Sequence, residues 1–100
     1  MHARIATFEI EDPSKLDQEI EEMREQSASG PPEGIPATEF LLLVDRGGKK
    51  VMGITLFDTE EDLRKGSETL EQMNPGAGMG RRTSVETFEV PMHMSATPTR

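Results

Sequence analysis

The sequence predicts an α+β domain with the element order βαββαβ, a four-stranded antiparallel sheet carrying two helices on one face. Three observations lead there. Two segments repeat apolar residues at helical spacing, four others carry the β-branched and aromatic residues of strands, and a Gly47-Gly48 turn joins two of those strands as a hairpin. One hundred residues suit a single domain, which at that length buries roughly two thirds of the surface of the unfolded chain.

Ile5, Thr7, Phe8 and Ile10 mark a first strand over Ala3 to Ile10, closed by Glu11-Asp12-Pro13. Asp12 can cap the helix that follows. Pro13 fits the first helical position, where its missing N–H costs nothing, and Leu16, Ile20 and Met23 then form one apolar stripe. Asp17, Glu19, Glu21, Glu22 and Glu25 surround the stripe and read as a solvated helix face rather than a metal site. Ser27 to Ala37 holds three Pro and two Gly, which ends the helix and makes an irregular connection. Thr38 to Asp45 and Val51 to Phe57 are expected as the hairpin strands, with Arg46-Gly47-Gly48-Lys49 as their turn. Asp58-Thr59-Glu60-Glu61-Asp62 opens a second helix with capping and acidic side chains at its positive end, and Leu63, Leu70 and Met73 share a face with Gly66 between them. Asn74-Pro75-Gly76 stops it, Gly76 to Gly80 reads as a flexible connector, and Arg82 to Val90 is expected as the last strand.

The hairpin strands do not alternate apolar with polar residues. Leu41 and Leu43 point opposite to Phe40, Leu42 and Val44, while Met52, Ile54 and Leu56 point opposite to Val51 and Phe57. Two helices cover only one sheet face, so the second apolar face needs another cover. A second copy of the chain is the simplest, which predicts a homodimer with Leu41, Leu43 and Ile54 at its interface. The competing arrangement folds the 27–37 loop back over that face, but this loop offers only Ile35 to a core.

Composition excludes several classes. With no Cys, neither a disulfide, a thiolate metal site nor a cysteine nucleophile is available. The formal net charge of −8 repels nucleic acid and anionic membrane surfaces, and with no Trp or Tyr the stacking platforms of single-strand binders are missing as well. No segment reads as a signal peptide or a membrane span, so the cytoplasm is the expected location.

Met1-His2-Ala3-Arg4-Ile5-Ala6-Thr7-Phe8-Glu9 and the run from Leu42-Leu43-Val44-Asp45-Arg46 to Gly53-Ile54-Thr55-Leu56-Phe57-Asp58-Thr59-Glu60-Glu61-Asp62-Leu63 resemble the antibiotic biosynthesis monooxygenase-like family over residues 1–91. The resemblance implies a ferredoxin-like sheet that pairs face to face with a second chain as a dimeric α/β barrel, with a cavity between sheet and helices in each subunit. Phe8, Phe40, Thr55, Phe57 and Phe88 are assigned to that cavity, Phe57 standing where relatives often place a Trp. Residues 92–100 form a polar tail outside this domain. The chemistry of such relatives rests on Trp, Tyr, His and Asn; this chain has neither Trp nor Tyr, and its only Asn is Asn74 in the helix-ending turn. No catalytic residue, metal set or cofactor is therefore assigned.

The remaining candidates have ordinary readings. Gly76 to Gly80 runs from helix into strand, the reverse of a dinucleotide-binding loop. His2 and His93 are the groups that titrate near neutrality, yet both lie near chain or strand ends, and Met92-His93-Met94 has no convergent neighbours. Arg4, Glu9, Glu86 and Glu89 fall within strands, where pairing between the first and last strands would satisfy them. Two functions remain compatible with these residues. The favoured one is a homodimer that binds a small apolar or aromatic molecule between sheet and helices without catalysis. The other is a cofactor-independent monooxygenase acting on an aromatic or quinol substrate, whose own carbanion would reduce oxygen.

Overall fold

A computed structural model describes residues 1–27, 35–72 and 79–94. The elements are β1 (His2–Glu9), α1 (Pro13–Ser27), β2 (Glu39–Asp45), β3 (Lys50–Phe57), α2 (Glu60–Gln72) and β4 (Arg81–Glu89), in the expected βαββαβ order. All neighbouring strands are antiparallel and the sheet order is β2-β3-β1-β4. The central connector at 28–34, the end of the second helical segment with Asn74-Pro75-Gly76, and the tail from 95 onward lie outside the described residues.

Both helices begin where the capping residues stand. Asp12 Oδ1 accepts the Ser14 N–H at 3.0 Å and Pro13 opens α1. Thr59 Oγ1 accepts the Asp62 N–H at 3.0 Å, and Glu60, Glu61 and Asp62 fill the first turn of α2 against its positive end. In the hairpin turn the left-handed residue is Lys49, at φ 54°, rather than either glycine. The turn is held by Gly48 N–H on Asp45 Oδ1 at 3.0 Å, and the Lys49 carbonyl accepts from Ile10 N–H at 2.8 Å.

The register assigns every strand residue to a face. His2, Arg4, Ala6 and Phe8 of β1 pair with Phe57, Thr55, Gly53 and Val51 of β3 and share the helix-bearing face, with Phe40, Leu42 and Val44 of β2 alongside. Ala6, Phe8, Ile10, Leu16, Val51 and Met79 form the core there, with Ile20 and Met23 of α1 packed on it. Met79 belongs to the stretch expected as a flexible connector; instead its side chain is buried. Beside it, Gly80 adopts φ +89° and passes so close to β1 that a Cβ would stand 2.0 Å from the Glu9 carbonyl oxygen, a path open only to glycine.

On the opposite face lie Ala3, Ile5 and Thr7 of β1, Met52, Ile54 and Leu56 of β3, Leu41 and Leu43 of β2, and Ser84, Glu86 and Phe88 of β4. Ala3 and Leu56 are buried, but Leu41 and Leu43 are each 45% exposed and Phe88 is 48% exposed. Ile35, the one large apolar residue of the long connector, is buried, while Leu41, Leu43 and Phe88 stay open to solvent. A register shift after Thr7 leaves Thr83 as an extra residue in β4, and its hydroxyl returns a hydrogen bond to the Thr7 carbonyl at 3.2 Å.

Candidate functional site

An open groove of about 560 Å³ lies between α2 and the edge strand β4. Glu60, Leu63, Arg64, Ser67, Glu68, Glu71 and Gln72 supply its helical wall, spaced so that they fall along one flank of α2, and Thr87 of β4 supplies its floor. α2 reaches the sheet closely because residue 66 is glycine. A Cβ there would lie 2.3 Å from Cε1 and 2.6 Å from Cζ of Phe57, whose ring is fully buried beneath the helix.

At one end of the groove stands a cluster of three charges. Arg4 is 5% exposed, an unusual position for a strand arginine that faces the helices. Its Nη2 donates to Glu71 Oε1 at 3.0 Å, and Arg82 grips the same carboxylate with Nη2 on Oε2 at 3.0 Å and Nη1 on Oε1 at 3.3 Å. The Arg82 hydrogen bonds, followed by those from Arg4 and the charges of both guanidinium groups, hold the Glu71 carboxyl below the usual glutamate range against the opposing effect of burial. One turn earlier on α2, the Ser67 hydroxyl oxygen is buried and has no hydrogen-bond partner among the described residues.

The residues expected to line a cavity do not meet around this groove. Phe8 fills the core under α1, Phe57 fills the space under α2, and Thr55 is buried beside them. Phe40 is exposed on the same sheet face, with its ring over Gly53. Phe88 belongs to the other face, opposite Ala3 and apart from the other four: the three-residue step from Val85 places the two side chains on opposite sides of β4. Leu41, Leu43 and Ile54 share the open sheet face, Leu41 and Ile54 as direct cross-strand partners. Glu9 pairs with Arg81 of β4 at 3.1 Å, whereas Arg4 pairs with Glu71 of α2. His93 Nε2 lies 3.2 Å from Glu39 Oε2. Among the described residues no three acidic or histidine side chains stand together as a metal-binding group, and no helix is long and apolar enough to cross a membrane.

Sequence reading missed Ser67 and Glu71. Their only signal is the shared flank, four residues apart in a helix that also carries Gly66.

No family model matches the sequence, and a search of curated proteins returns no match. Solved structures do match along nearly the whole chain. The haem degrader MhuD from Mycobacterium tuberculosis, with two haems bound in its active site, is 17% identical at TM-score 0.61, over 95% of this chain and 100% of that one. A monooxygenase from the ActVA-Orf6 gene of Streptomyces coelicolor, in complex with nanaomycin D, is 13% identical at TM-score 0.62, over 96% and 92%. A dimeric ferredoxin-like protein from an uncultured marine organism is 8% identical at TM-score 0.55, over 95% and 92%. The fold is the ferredoxin-like α+β fold of the antibiotic biosynthesis monooxygenase-like proteins.

Proposed function

We propose that the chain works as a homodimer that pairs through its open sheet face, closing a dimeric α/β barrel, and that each subunit binds a small apolar or aromatic molecule in the groove beside α2. The observation that carries the dimer is the exposed apolar face built from Leu41, Leu43, Ile54 and Phe88. A symmetric partner presents the same surface and removes it from water on both chains at once. Support for the ligand comes from the 560 Å³ groove, within the size range of small-molecule sites, and from ligands named in the structures of matching proteins.

Haem does not fit this groove. No His, Met or Tyr is among its described lining residues, and His93, with Nε2 on Glu39, lies outside them. A cofactor-independent monooxygenase is the second reading: Arg4 does not line the groove, but its partner Glu71 does, and a substrate that took the place of Glu71 would meet the guanidinium. A guanidinium beside a bound phenol or quinol stabilises the ionised form, the electron-rich state that reduces dioxygen.

Native mass spectrometry tests the proposal. A species at twice the 11.1 kDa subunit mass, with or without additional mass, is expected. Leu41→Glu and Leu43→Glu, made singly, should each weaken the dimer by at least about a hundredfold, because the symmetric interface buries the new charge twice. A monomer in the parent protein, or variants with unchanged mass and stability, overturns the dimer. Oxygen uptake with hydroquinones and anthrones at the uncatalysed rate removes the monooxygenase reading.

A further inference from the structure

Arg4 is the only charged side chain among the buried residues described, and its carboxylate partner, Glu71, is half exposed on the groove wall. A buried cation needs a partner, and here it is supplied by a side chain on the margin of an open hollow. Glu71 is also shared: two guanidinium groups converge on one carboxylate, while Glu60 and Glu68 on the same wall, set against Arg64, balance the charge of the groove as a whole. The unpartnered Ser67 hydroxyl lies one helical turn away on the same flank. Thr87, which pairs with Arg4 in the sheet register, lies on the groove floor. A structural ion pair would account for Glu71. It would not account for the second arginine on the same carboxylate or for the empty hydroxyl beside it.

We propose that Glu71 stands in for an acidic ligand. On this reading, which rests on the groove being a binding site, a small aromatic or apolar molecule with one ionised oxygen group, a carboxylate or phenolate, displaces Glu71. It takes over the contacts of Arg4 and Arg82 and accepts a hydrogen bond from Ser67. A planar carboxylate matches the guanidinium geometry already used by Glu71. The leaving Glu71 side chain is half exposed, so its charge returns to water at little cost.

The test compares 2-naphthoate with the neutral, similarly shaped 2-naphthamide, titrated into the wild-type dimer and into Glu71→Gln. Naphthoate should bind the variant about tenfold more tightly than wild type, because the internal competitor has lost its charge while naphthamide affinity stays level. In wild type, the side-chain Nε signals of Arg4 and Arg82 should shift with naphthoate and stay still with naphthamide. This second measurement decides the matter if Glu71→Gln fails to fold. Equal gains for both probes, or arginine signals that ignore naphthoate, overturn the acidic-ligand inference. Naphthamide binding alone does so while leaving the groove as a site; binding of neither probe removes the groove as well.

Discussion

Replacing Gly66 with Ala should destabilise the protein, although helix propensity alone predicts the reverse. In a solvent-exposed helix interior, glycine to alanine gains about 1 kcal/mol from reduced backbone entropy and better helix formation. Here the added methyl would stand 2.3 Å and 2.6 Å from two ring carbons of Phe57. That ring is fully buried, so the clash is relieved only by tilting the ring off its rotamer or lifting α2 from the sheet. Overpacking of this kind costs about 1–3 kcal/mol, occasionally more. The contact is far inside van der Waals distance, so a cost at or above the upper end is expected. The balance is a net loss of about 2 kcal/mol, or roughly 8–16 °C in melting temperature for a domain of this size. Urea denaturation followed by far-UV circular dichroism, at one fixed protein concentration, measures it. Phe57→Leu supplies the internal control: it removes the obstructing ring carbons, so in that background Gly66→Ala should turn neutral or stabilising, by up to about 1 kcal/mol. A midpoint that rises for Gly66→Ala alone, or a double variant whose effects simply add, would refute the steric account.

Gly80→Ala combines a positive φ with a Cβ 2.0 Å from the Glu9 carbonyl; it should cost at least about 3 kcal/mol, and an unchanged urea midpoint would show that the 79–80 segment sits elsewhere. Leu16→Ala empties a fully buried core position and should cost about 2–5 kcal/mol by the same assay. Acid should act through Glu71. Its carboxyl is lowered by Arg82 and Arg4, so the folded state binds fewer protons there than the unfolded state; the stabilisation is complete above the ordinary glutamate value and disappears as pH falls through the lowered one. The stability gap between wild type and Glu71→Gln should therefore narrow over that acid range, and a gap independent of pH would mean that the ion pairs do not hold in solution.

Local chemistry made the elements legible. Asp12-Pro13 and Thr59 start the helices where their side chains can cap, and Arg46 to Lys49 turns the hairpin between the expected strands. Strand parity was equally readable, since the uninterrupted apolar run of β2 can only feed both faces. Phe88 was harder. Val85 and Phe88 occupy opposite faces of β4, and no pattern within that strand says which one meets the helices; the pairing with β1 decides it. Met79 looked like loop because its burial depends on the close passage of Gly80 over Glu9, a contact between distant parts of the chain. Arg4 and Glu71 are separated by most of the sequence, and nothing local marks either as the partner of the other. Gly66 lets α2 settle closely onto Phe57, and the groove lies at the helix flank, a placement that no local pattern announces.

The strand order β2-β3-β1-β4 puts β1 in the middle of the sheet, between β3 and β4. During synthesis this strand emerges before either neighbour, and both of its backbone edges stay unsatisfied until Lys50–Phe57 and then Arg81–Glu89 follow. Leu16 has a similar wait, because Val51 of β3 is part of the core it enters. An amino-terminal half of this chain is thus not a smaller folded unit but an exposed template for pairing with any other strand. Folding must await the last strand, with the slow kinetics of non-local pairing, and nascent or truncated chains are the species a cell would have to shield from aggregation.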